Sequence, residues 1–447
     1  MKKTLFFAAA AIAMLASCSQ NDLEAPVVAQ SQQGDAIEFG TYVAGSATSR
    51  VTTGGKPGEM TDATLKTTDE GFGVFAYNTM STAWESAKTS ATPNFMYNEQ
   101  IKWNSTKWEY SPLKYWPNEF AAGAVDAQTP AASGASENGK VSFFAYAPYA
   151  GTATQDATPT NDATITGATT GITKVTGNAK TGAPEVYYIY NKDNPVDLLW
   201  GTRPTSTTYN QAAGTDGGTT NTVNIDLVKQ KTGETVKFLF KHVLSAIAGT
   251  GALSAVVNPS NGSLSNTKVS ITSVTISDGG TANVKNAGRL NLETGTFTID
   301  DAVSAAEVAG IAKTYDTDDI LDEYAEASPT LNDWSTVKGI SDIAEHQILK
   351  DNKTPIIFMP GSTPKLSVNI VYTVRTQDTK LASGWSESVQ NITKVITFGN
   401  EVVSGKRYKL KMILGLEDVD FEATVDDWSD IESTAVEVNL PLNVTTP

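Results

Sequence analysis

The sequence predicts an all-β protein made of two β-sandwich domains in tandem. Short alternating or aromatic runs recur along the 447-residue chain, and clusters of Gly, Pro, Asn and Asp separate them. Many short strands between frequent turns are typical of sandwiches. Hydrophobic residues form 40% of the chain and charged residues 18%, which indicates a folded protein with a real core. No repeat of fixed period is present, so a solenoid or a propeller is disfavoured.

Strands are predicted in both halves of the chain, and the length fits two domains better than three. Residues 202–222 are rich in Thr and Gly and contain Pro204, the composition of a domain boundary. We therefore expect one sandwich at residues 51–209 and the other at residues 210–447. The predicted strands are residues 37–43, 71–77, 141–146, 186–190, 236–240, 269–276, 356–359, 366–374, 395–398, 408–414 and 421–425.

One segment carries a helix signal. Residues 314–327 place apolar side chains on one side and acidic residues around them, which predicts a helix inserted between strands of the second half. The acidic run at 316–319 is similar to the start of a calcium loop. Leu321 and Ala327 stand where such a loop needs its turn glycine and its final Glu, so an EF-hand is not expected.

The first residues predict a lipoprotein signal peptide. A positively charged start precedes an apolar run at 5–15 that is too short to span a bilayer, and small residues lead to Cys18. In this interpretation residues 1–17 are removed, and Cys18, the one cysteine of the chain, becomes the lipidated first residue of a membrane-anchored precursor. A buried free thiol and an ordinary signal peptide are the alternatives.

The charge of the chain argues against nucleic acid as a partner. Acidic residues outnumber basic residues 49 to 33, and the formal net charge of −16 is repelled by phosphate backbones. Arginine, the residue best suited to clamp phosphates in a bidentate way, is scarce. Anionic membrane surfaces are disfavoured for the same reason.

Catalytic chemistry finds little support in the sequence. His242 and His346 are the two histidines, and no nucleophile, phosphate-loop or zinc-binding pattern accompanies them. His242 lies in an apolar run and is expected to be a satisfied core or edge histidine. We predict no catalytic residue, no cofactor and no metal site. A hydrolase whose residues gather from distant positions is the weakest alternative.

An aromatic segment allows two interpretations. The flat rings of Trp103, Trp108, Tyr110, Tyr115 and Trp116 suit the apolar faces of sugars and are able to form a stacking platform. Aromatic residues this dense between strands more often fill the core of a sandwich. The core interpretation is therefore favoured over the sugar platform.

The C-terminal tail is predicted to be one long strand with an apolar face. Residues 436–444 alternate with period two, and Pro441 suits an edge or inserted position. Buried fully, the apolar side chains contribute about 1.5 to 3 kcal/mol each before ordering costs. The strand either closes its own domain or adds to the sheet of another subunit as a donor strand. Its apolar residues are Val436, Val438, Leu440, Leu442 and Val444.

A second strand near the N-terminus is also a candidate to fill a groove. Ile37, Phe39 and Val43 belong to one alternating set within residues 37–43. The following residues, 44–55, are small and polar, as in the exposed loops that proteases cut. The sequence therefore places a removable strand directly before a cleavable loop.

The positions of the basic residues predict where that loop is cut. No Lys or Arg occurs at residues 4–49, so a protease specific for basic residues cuts first between Arg50 and Val51. The strand at 37–43 then leaves with the pro-segment 18–50. While tethered, this strand has a high effective concentration and excludes a competitor; after cleavage the tail of a neighbour is able to replace it. The alternative is that Arg50 is an ordinary solvated residue.

Motifs along nearly the whole chain follow a specific order. They are Cys18 and residues 37–39, 49–50, 72–77, 115–117, 141–149, 196–200, 240–244 and 425–428. Each motif alone is a degenerate packing pattern, but by their order the chain resembles the fimbrillin family of Bacteroidales.

The resemblance implies two transthyretin-like sandwich domains and an outer-membrane lipoprotein precursor. It also implies that an arginine-specific protease trims the precursor, after which strand exchange with other pilin subunits builds a pilus. By motif position, Arg50 and Val51 flank the cleavage site and residues 436–444 are the donor strand. Because the chain has both a cleavable arginine and a free tail, a stalk subunit is favoured over a tip adhesin.

The leading hypothesis is a structural subunit of a cell-surface pilus that supports adhesion and is not an enzyme. The runner-up is a monomeric surface lipoprotein or tip adhesin that binds host or dietary glycans through its aromatic loops. The leading hypothesis depends on one exchange, in which residues 37–43 vacate a groove and residues 436–444 of another copy fill it.

Overall fold

The structure, a computed structural model, is almost entirely β. The helices of the described residues are short: α1 (Asp62–Thr67), α2 (Trp84–Ala87) and a 3₁₀ helix (Trp334–Thr336). The described residues are 36–43, 62–67, 70–117, 140–150, 154–156, 171–190, 195–204, 222–227, 235–247, 251–259, 264–279, 285, 287–299, 311–350, 356–415, 419–427 and 442–445.

The largest sheet, called the first sheet, curls until its two ends meet. Its strands are β1 (Glu38–Val43), β2 (Phe72–Asn78), β3 (Met96–Trp103), β4 (Trp108–Glu109), β5 (Val141–Ala147), β9 (Leu199–Thr202), β10 (Asn224–Leu227) and β11 (Thr235–His242). The order along the sheet is β1-β11-β9-β5-β2-β3-β4, and β10 also pairs with β5. A bridge between Ala36 and Tyr115 joins the two ends, so the sheet nearly closes into a barrel.

The second sheet packs against one face of the first. Its strands are β6 (Thr154–Asp156), β7 (Gly171–Thr176), β8 (Glu185–Ile189), β15 (Ala287–Asn291) and β16 (Phe297–Ile299). The order is β16-β15-β8-β7-β6. Val186 and Tyr188 of β8 share an apolar core with Phe75 and Phe144 of the first sheet, as expected for a sandwich.

The third and fourth sheets form the rest of the protein. The third contains β12 (Ser245–Ile247), β13 (Leu253–Val257), β18 (His346–Gln347), β19 (Ile356–Phe358), β22 (Lys406–Leu414) and β23 (Val419–Asp427). The fourth contains β17 (Ala312–Tyr315), β14 (Thr267–Asp278), β20 (Lys365–Gln377), β21 (Trp385–Phe398) and β24 (Leu442–Thr445), in that order across the sheet. Buried positions alternate along β20 and β22, in keeping with their period-two sequences.

Two strands of the first sheet are buried on both faces. All of β5 is buried, and all of β2 except Asn78. Alternate side chains serve two cores: Val74 and Phe143 belong to an inner core enclosed by the curled sheet, whereas Phe75 and Phe144 belong to an outer core shared with the other sheets. Continuous apolar runs, rather than alternating ones, are what strands in such a position require.

Strand pairing crosses the predicted boundary at residue 210. β10 and β11 follow this position but pair with β5 and β9 of the first sheet, and β15 pairs with β8 of the second. The chain enters the third sheet only at β12, which begins at Ser245. The composition of residues 202–222 does not mark the change of sheets, because composition carries no information about which strands pair.

The hairpin of β15 and β16 is fixed to the first half of the chain by two tryptophans. Trp200 Nε1 donates to the Leu292 carbonyl oxygen at 2.8 Å, and Trp84 Nε1 donates to Glu293 Oε1 at 2.9 Å. Gly295 has a φ of +70°, and a Cβ there would lie 2.2 Å from the Trp200 ring, so this turn needs glycine. The hairpin therefore couples the two halves of the protein.

The prediction of a helix at residues 314–327 is wrong. β17 ends at Tyr315 and turns follow it. Isolated bridges join Ile320 to Leu349 and Ala325 to Ile271 of β14, and the Asp316 side chain accepts a hydrogen bond from the backbone two residues later. Short acidic side chains that bond to nearby backbone favour turns, and the tertiary contacts of the apolar residues override their helical spacing.

The predicted all-β class is confirmed, and each predicted run contains a strand. The four sheets fall into two groups that meet in the outer core, an arrangement compatible with two tandem sandwiches. In the part of the chain that the structure describes, no helix has the length and apolar character needed to cross a membrane.

The hydrogen bond from Trp200 to the β15–β16 hairpin predicts the effect of one substitution on stability. Trp200→Phe should lower the free energy of unfolding by about 1 to 3 kcal/mol, because the buried Leu292 carbonyl loses its donor. Urea unfolding followed by circular dichroism measures the change. Trp103→Phe, at a half-buried ring, is the control and should have a smaller effect. Equal unfolding midpoints for the two variants would contradict a stabilising role of the Trp200 hydrogen bond.

Candidate functional site

β1 is the strand on which the candidate site is built. Its residues Glu38–Val43 pair in parallel with residues 235–240 of β11 over the whole length of β1. Just before β1, on the side away from β11, the Ile37 N–H donates to the Lys114 carbonyl oxygen at 2.9 Å. β1 therefore fills the gap between the two ends of the first sheet.

The side chains of β1 and of the residue before it alternate between the core and the surface. Ile37 and Phe39 are only 1% and 5% exposed, whereas Glu38 between them is exposed. Thr41 continues the buried set with a polar side chain. Val43, predicted in the same set, is paired through its backbone with β11. This segment thus gives the inner core an apolar wall.

The Phe39 ring lies at the centre of an aromatic cluster. Its centroid is 5.5 Å from that of Tyr110, 6.0 Å from Phe238, 6.1 Å from Phe72 and 6.2 Å from Phe143. The contacts with Tyr110, Phe72 and Phe143 are edge-on, the geometry that aromatic quadrupoles prefer. One side chain of β1 therefore connects four strands or loops of the sheet.

Tyr110 holds the beginning of this segment. Its hydroxyl donates to the Ile37 carbonyl oxygen at 2.9 Å and accepts a hydrogen bond from the Lys114 backbone N–H at 3.2 Å. Burial raises the pKa of Tyr110 to about 12, despite the opposing effect of the Lys114 backbone hydrogen bond. The neutral phenol is thus the form that the folded site favours.

The arrangement defines a groove that suits an extended strand. Without β1, the backbone N–H and C=O groups along one edge of β11 would lose their partners, and the rings of Phe72, Phe143 and Phe238 would meet water. An open sheet edge above apolar pockets is the geometry that binds an added strand, with the backbone giving affinity and alternate side chains giving specificity.

The C-terminal strand lies on a different sheet. β24 pairs antiparallel with the end of β21, from Val395 opposite Thr445 to Phe398 opposite Leu442, and it is the last strand of the fourth sheet. In the single chain, the predicted donor residues Leu442 and Val444 therefore rest on their own sheet, at its edge. β24 has four residues and, among the described strands, pairs with β21 alone.

Several predicted site residues lie outside the described part of the chain. They are Cys18, Arg50, Val51, Val436, Val438 and Leu440. Lipidation at Cys18, cleavage between Arg50 and Val51, and strand donation by residues 436–444 remain predictions.

The aromatic segment belongs to the core, as favoured from the sequence. Trp108 and Tyr110 are buried in the inner core, and Trp103 and Trp116 pack against it half-buried. Tyr115 alone of the five rings is 40% exposed. Rings committed to packing in this way do not form a flat platform for sugars.

Both histidines are engaged with carboxylates. His242 is a buried core histidine, as predicted, with Nδ1 2.8 Å from Asp197 Oδ2. His346 lies between the Tyr324 hydroxyl, 2.9 Å from Nδ1, and Asp342 Oδ1, 2.7 Å from Nε2. Within the described residues, no group of three or more His, Cys, Asp or Glu is placed to hold a metal.

Sequence reasoning missed the residues that face β1 across the groove. The hydrogen bond from the Tyr110 hydroxyl to the Ile37 carbonyl, here called the Tyr110 latch, joins residues 73 positions apart in the chain. The partner strand β11 is even farther from β1 in the sequence. Tyr110 stood out only as a possible sugar contact or core residue. No local pattern identifies a latch, because it arises from the meeting of two sheet ends.

The burial of β1 predicts a large effect for one substitution and a small one for its neighbour. Phe39→Ala should destabilise the first sheet by about 3 to 5 kcal/mol, since a fully packed ring is removed. Glu38→Ala, one residue away on the exposed face, should change stability by less than about 0.5 kcal/mol. Denaturant midpoints of the two variants measure this difference, and similar midpoints would show that β1 is not seated in the core.

The raised pKa of Tyr110 predicts that its contribution to the stability of the fold is lost at alkaline pH. Because its pKa is raised from 10.0 to about 12, its contribution to stability is present below pH 10 and is lost as the pH rises through about 12. Tyr110→Phe lacks this ionisation, so the stability gap between wild type and variant should narrow above pH 10. Urea midpoints of both proteins at several pH values measure the gap, and a constant gap would contradict the assignment.

Fimbrial proteins resemble the chain over most of its length, although no protein-family model matches it. The chain is 26% identical over 398 residues to the fimbrium subunit Fim1C of Phocaeicola vulgatus, covering 85% of this chain and 87% of that protein. A crystal structure of a fimbrial protein from Bacteroides vulgatus shares its fold, with a TM-score of 0.58 at 22% identity, covering 88% of this chain and 100% of that one. The resemblance predicted from the motifs is confirmed: over most of its length the chain is similar in sequence to a fimbrium subunit from Bacteroidales, and it shares the fold of a Bacteroides fimbrial protein.

Proposed function

We propose that the chain is a structural subunit of a cell-surface pilus and that it assembles by donor-strand exchange. In this scheme β1 is a temporary strand, and the tail of another pilin subunit replaces it in the first sheet. The observation that supports the scheme is the position of β1, the first strand of the described residues, which pairs along its whole length with β11 and fills an apolar groove. Homology to a fimbrium subunit supports the pilus role itself.

Proteolysis is the proposed trigger. The chain between β1 and α1 contains Arg50, and no other Arg or Lys precedes it back to residue 4. An arginine-specific protease that cuts before Val51 converts β1 from a tethered strand into a separate peptide. Its effective concentration then falls from roughly millimolar to that of the free peptide, so a competing strand gains access.

The number of apolar side chains that the tail is able to bury in the groove favours the exchange. β1 and the residue before it bury Ile37 and Phe39, while the tail at 436–444 carries five apolar side chains on one face. At about 1.5 to 3 kcal/mol for each fully buried side chain, the tail gains more than β1 loses, even with Val43 counted for β1. The cost is the release of the four-residue β24 from the edge of its own sheet.

The precursor is proposed to reach the cell surface as a lipoprotein. Lipidation of Cys18 anchors it in the outer membrane until cleavage frees the mature chain from its pro-segment. A stalk position follows from the presence of both a cleavable Arg50 and an alternating tail, since a stalk subunit must accept one strand and donate another.

The alternative of a monomeric glycan-binding lipoprotein or tip adhesin was based on the aromatic segment at 103–116. Four of its five rings pack in or against the inner core, so this segment does not favour the alternative. A pilus subunit needs no catalytic group, and its homologue is named for a structural role.

Cleavage should control assembly. Purified full-length precursor treated with an arginine-specific protease should form ladders of oligomers that resist SDS, because exchanged strands are buried in the core. Arg50→Ala should stay monomeric, and so should a chain that ends at Ile431 and lacks the tail. Gel electrophoresis without heating measures the ladders. Wild-type protein that remains monomeric after verified cleavage would refute the exchange.

A matched pair of tail variants tests the period-two pattern. Val438→Arg places a charge on the apolar face, whereas Asn439→Arg places it on the polar face of the same strand. After cleavage, Val438→Arg should abolish the ladder and Asn439→Arg should leave it. Equal behaviour of the two variants would mean that the tail is not inserted as a strand with one buried face.

A further inference from the structure

A polar cavity lies in the second half of the protein, away from β1. Its volume is about 420 Å³, within the range of small-molecule sites, about 300 to 1,000 Å³. It is lined by the residues before and at the start of β14, by Trp334 of the 3₁₀ helix and by residues 341–343. None of these residues belongs to the strand-exchange site described above.

The chemistry of the lining is mixed. Trp334 contributes a half-buried ring, and Leu264 and Ile343 are the other apolar residues. The rest of the lining carries hydroxyl, amide, ammonium or carboxylate groups, among them Lys268 and Asp342. One cation and one anion leave the cavity nearly neutral. Such a lining is too polar for an apolar ligand, and it offers no surplus of one charge for an ionic ligand.

The wall that carries Trp334 is held rigidly. The Asp333 side chain caps the 3₁₀ helix by accepting from the Ser335 backbone N–H at 3.1 Å and from its hydroxyl at 2.6 Å. Lys268 Nζ donates to the Val337 carbonyl oxygen at 2.6 Å and lies 5.2 Å from the centroid of the Trp334 ring. The ring therefore keeps its orientation without a ligand.

Residues 341–343 are also held by hydrogen bonds. Just before them, Val269 and Ile340 exchange two backbone hydrogen bonds of 2.9 and 2.8 Å, which fix this segment to β14. Asp342 Oδ1 accepts from the Ala344 backbone N–H at 2.9 Å and lies 2.7 Å from His346 Nε2. These two contacts lower the pKa of Asp342, so its carboxylate is ionised at neutral pH. A preformed site loses little entropy when it binds.

We propose that this cavity binds a neutral pyranose sugar of a glycan. A pyranose ring has an apolar face that suits the Trp334 ring and hydroxyls that suit Asp342, Lys268 and the amide and hydroxyl groups beside them. This places sugar recognition on a residue outside the aromatic segment at 103–116.

The proposed sugar site is independent of strand exchange. Lys268 of β14 pairs with Arg375 at one end of β20, whereas β24 sits beside residues 395–398, which face the other end of β20. Binding and assembly are therefore expected to fail separately when one of them is altered.

The test uses the full-length protein and the methyl glycosides of galactose, glucose, mannose and N-acetylglucosamine, each at millimolar concentration. Saturation-transfer NMR should show contact with at least one of them. Trp334→Ala should weaken that binding by about tenfold or more, because the stacking surface is lost. Trp103→Ala, at a half-buried ring of the first sheet, is the matched control and should bind as wild type does.

Two further variants keep the test decisive if Trp334→Ala folds poorly. Ser341→Tyr fills the cavity from an exposed position and should abolish binding, and Asp342→Asn should weaken it several-fold by removing the charge from the hydrogen bond. No contact with any of the four glycosides overturns the proposal. Undiminished sugar binding by the Ser341→Tyr variant also overturns it. A further contrary result is that wild type binds no sugar while the Ser341→Tyr variant no longer forms SDS-stable ladders. That result would make the cavity a contact between subunits.

Discussion

The parallel pairing of β1 with β11 is the contact on which the first sheet depends. β1 has β11 on one side, and the hydrogen bond from Ile37 to Lys114 just before it closes the other, so it joins two sheet ends that are far apart in strand order. Phe39 brings four other rings into one cluster beneath this seam. The sheet that β1 closes is complete as it stands, and without β1 it would leave a groove that suits a strand with the same alternation.

The segment that contains β1 contributes buried side chains to only one of the two cores, the inner core. Ile37 and Phe39 belong to the inner core, whereas the outer core is built from the opposite faces of β2 and β5 and from the other sheets. The β15–β16 hairpin adds a second connection, because Trp84 and Trp200 hold it against the first half. The outer core and the hairpin thus tie the halves together independently of the strand that is proposed to leave.

The fourth sheet keeps two different features apart. Its long strands β20 and β21 pair over 13 residues, and β24 occupies only the last four positions at one end. The polar cavity beside Lys268 and Trp334 lies at the other end, fixed by hydrogen bonds to β14. A stiff sheet between the two means that rearrangement of the tail need not disturb the cavity.

The sequence by itself determined the class of the protein and the burial pattern of its strands. Alternation and aromatic runs report which face of a strand is buried, because side chains change sides at every residue. Ile37 and Phe39 were therefore identified as one set that fills a groove, and the rings at 103–116 as core. The order of the packing motifs was enough to indicate the fimbrial homologues. These properties depend on residues that are near one another in the chain.

Only the tertiary structure decided which strands pair and what lies between them. Alternation is the same whichever partner a strand chooses, so it could not show that β1 runs parallel to β11, that Tyr110 latches Ile37, or that β15 returns to the second sheet. For the same reason composition could not show that β10 and β11 belong to the first sheet, and helical spacing predicted a helix at 314–327 where Ala325 instead bridges to Ile271 of β14. Pairing partners are selected by the packing of the whole core, and that selection is a property of the folded chain rather than of any segment.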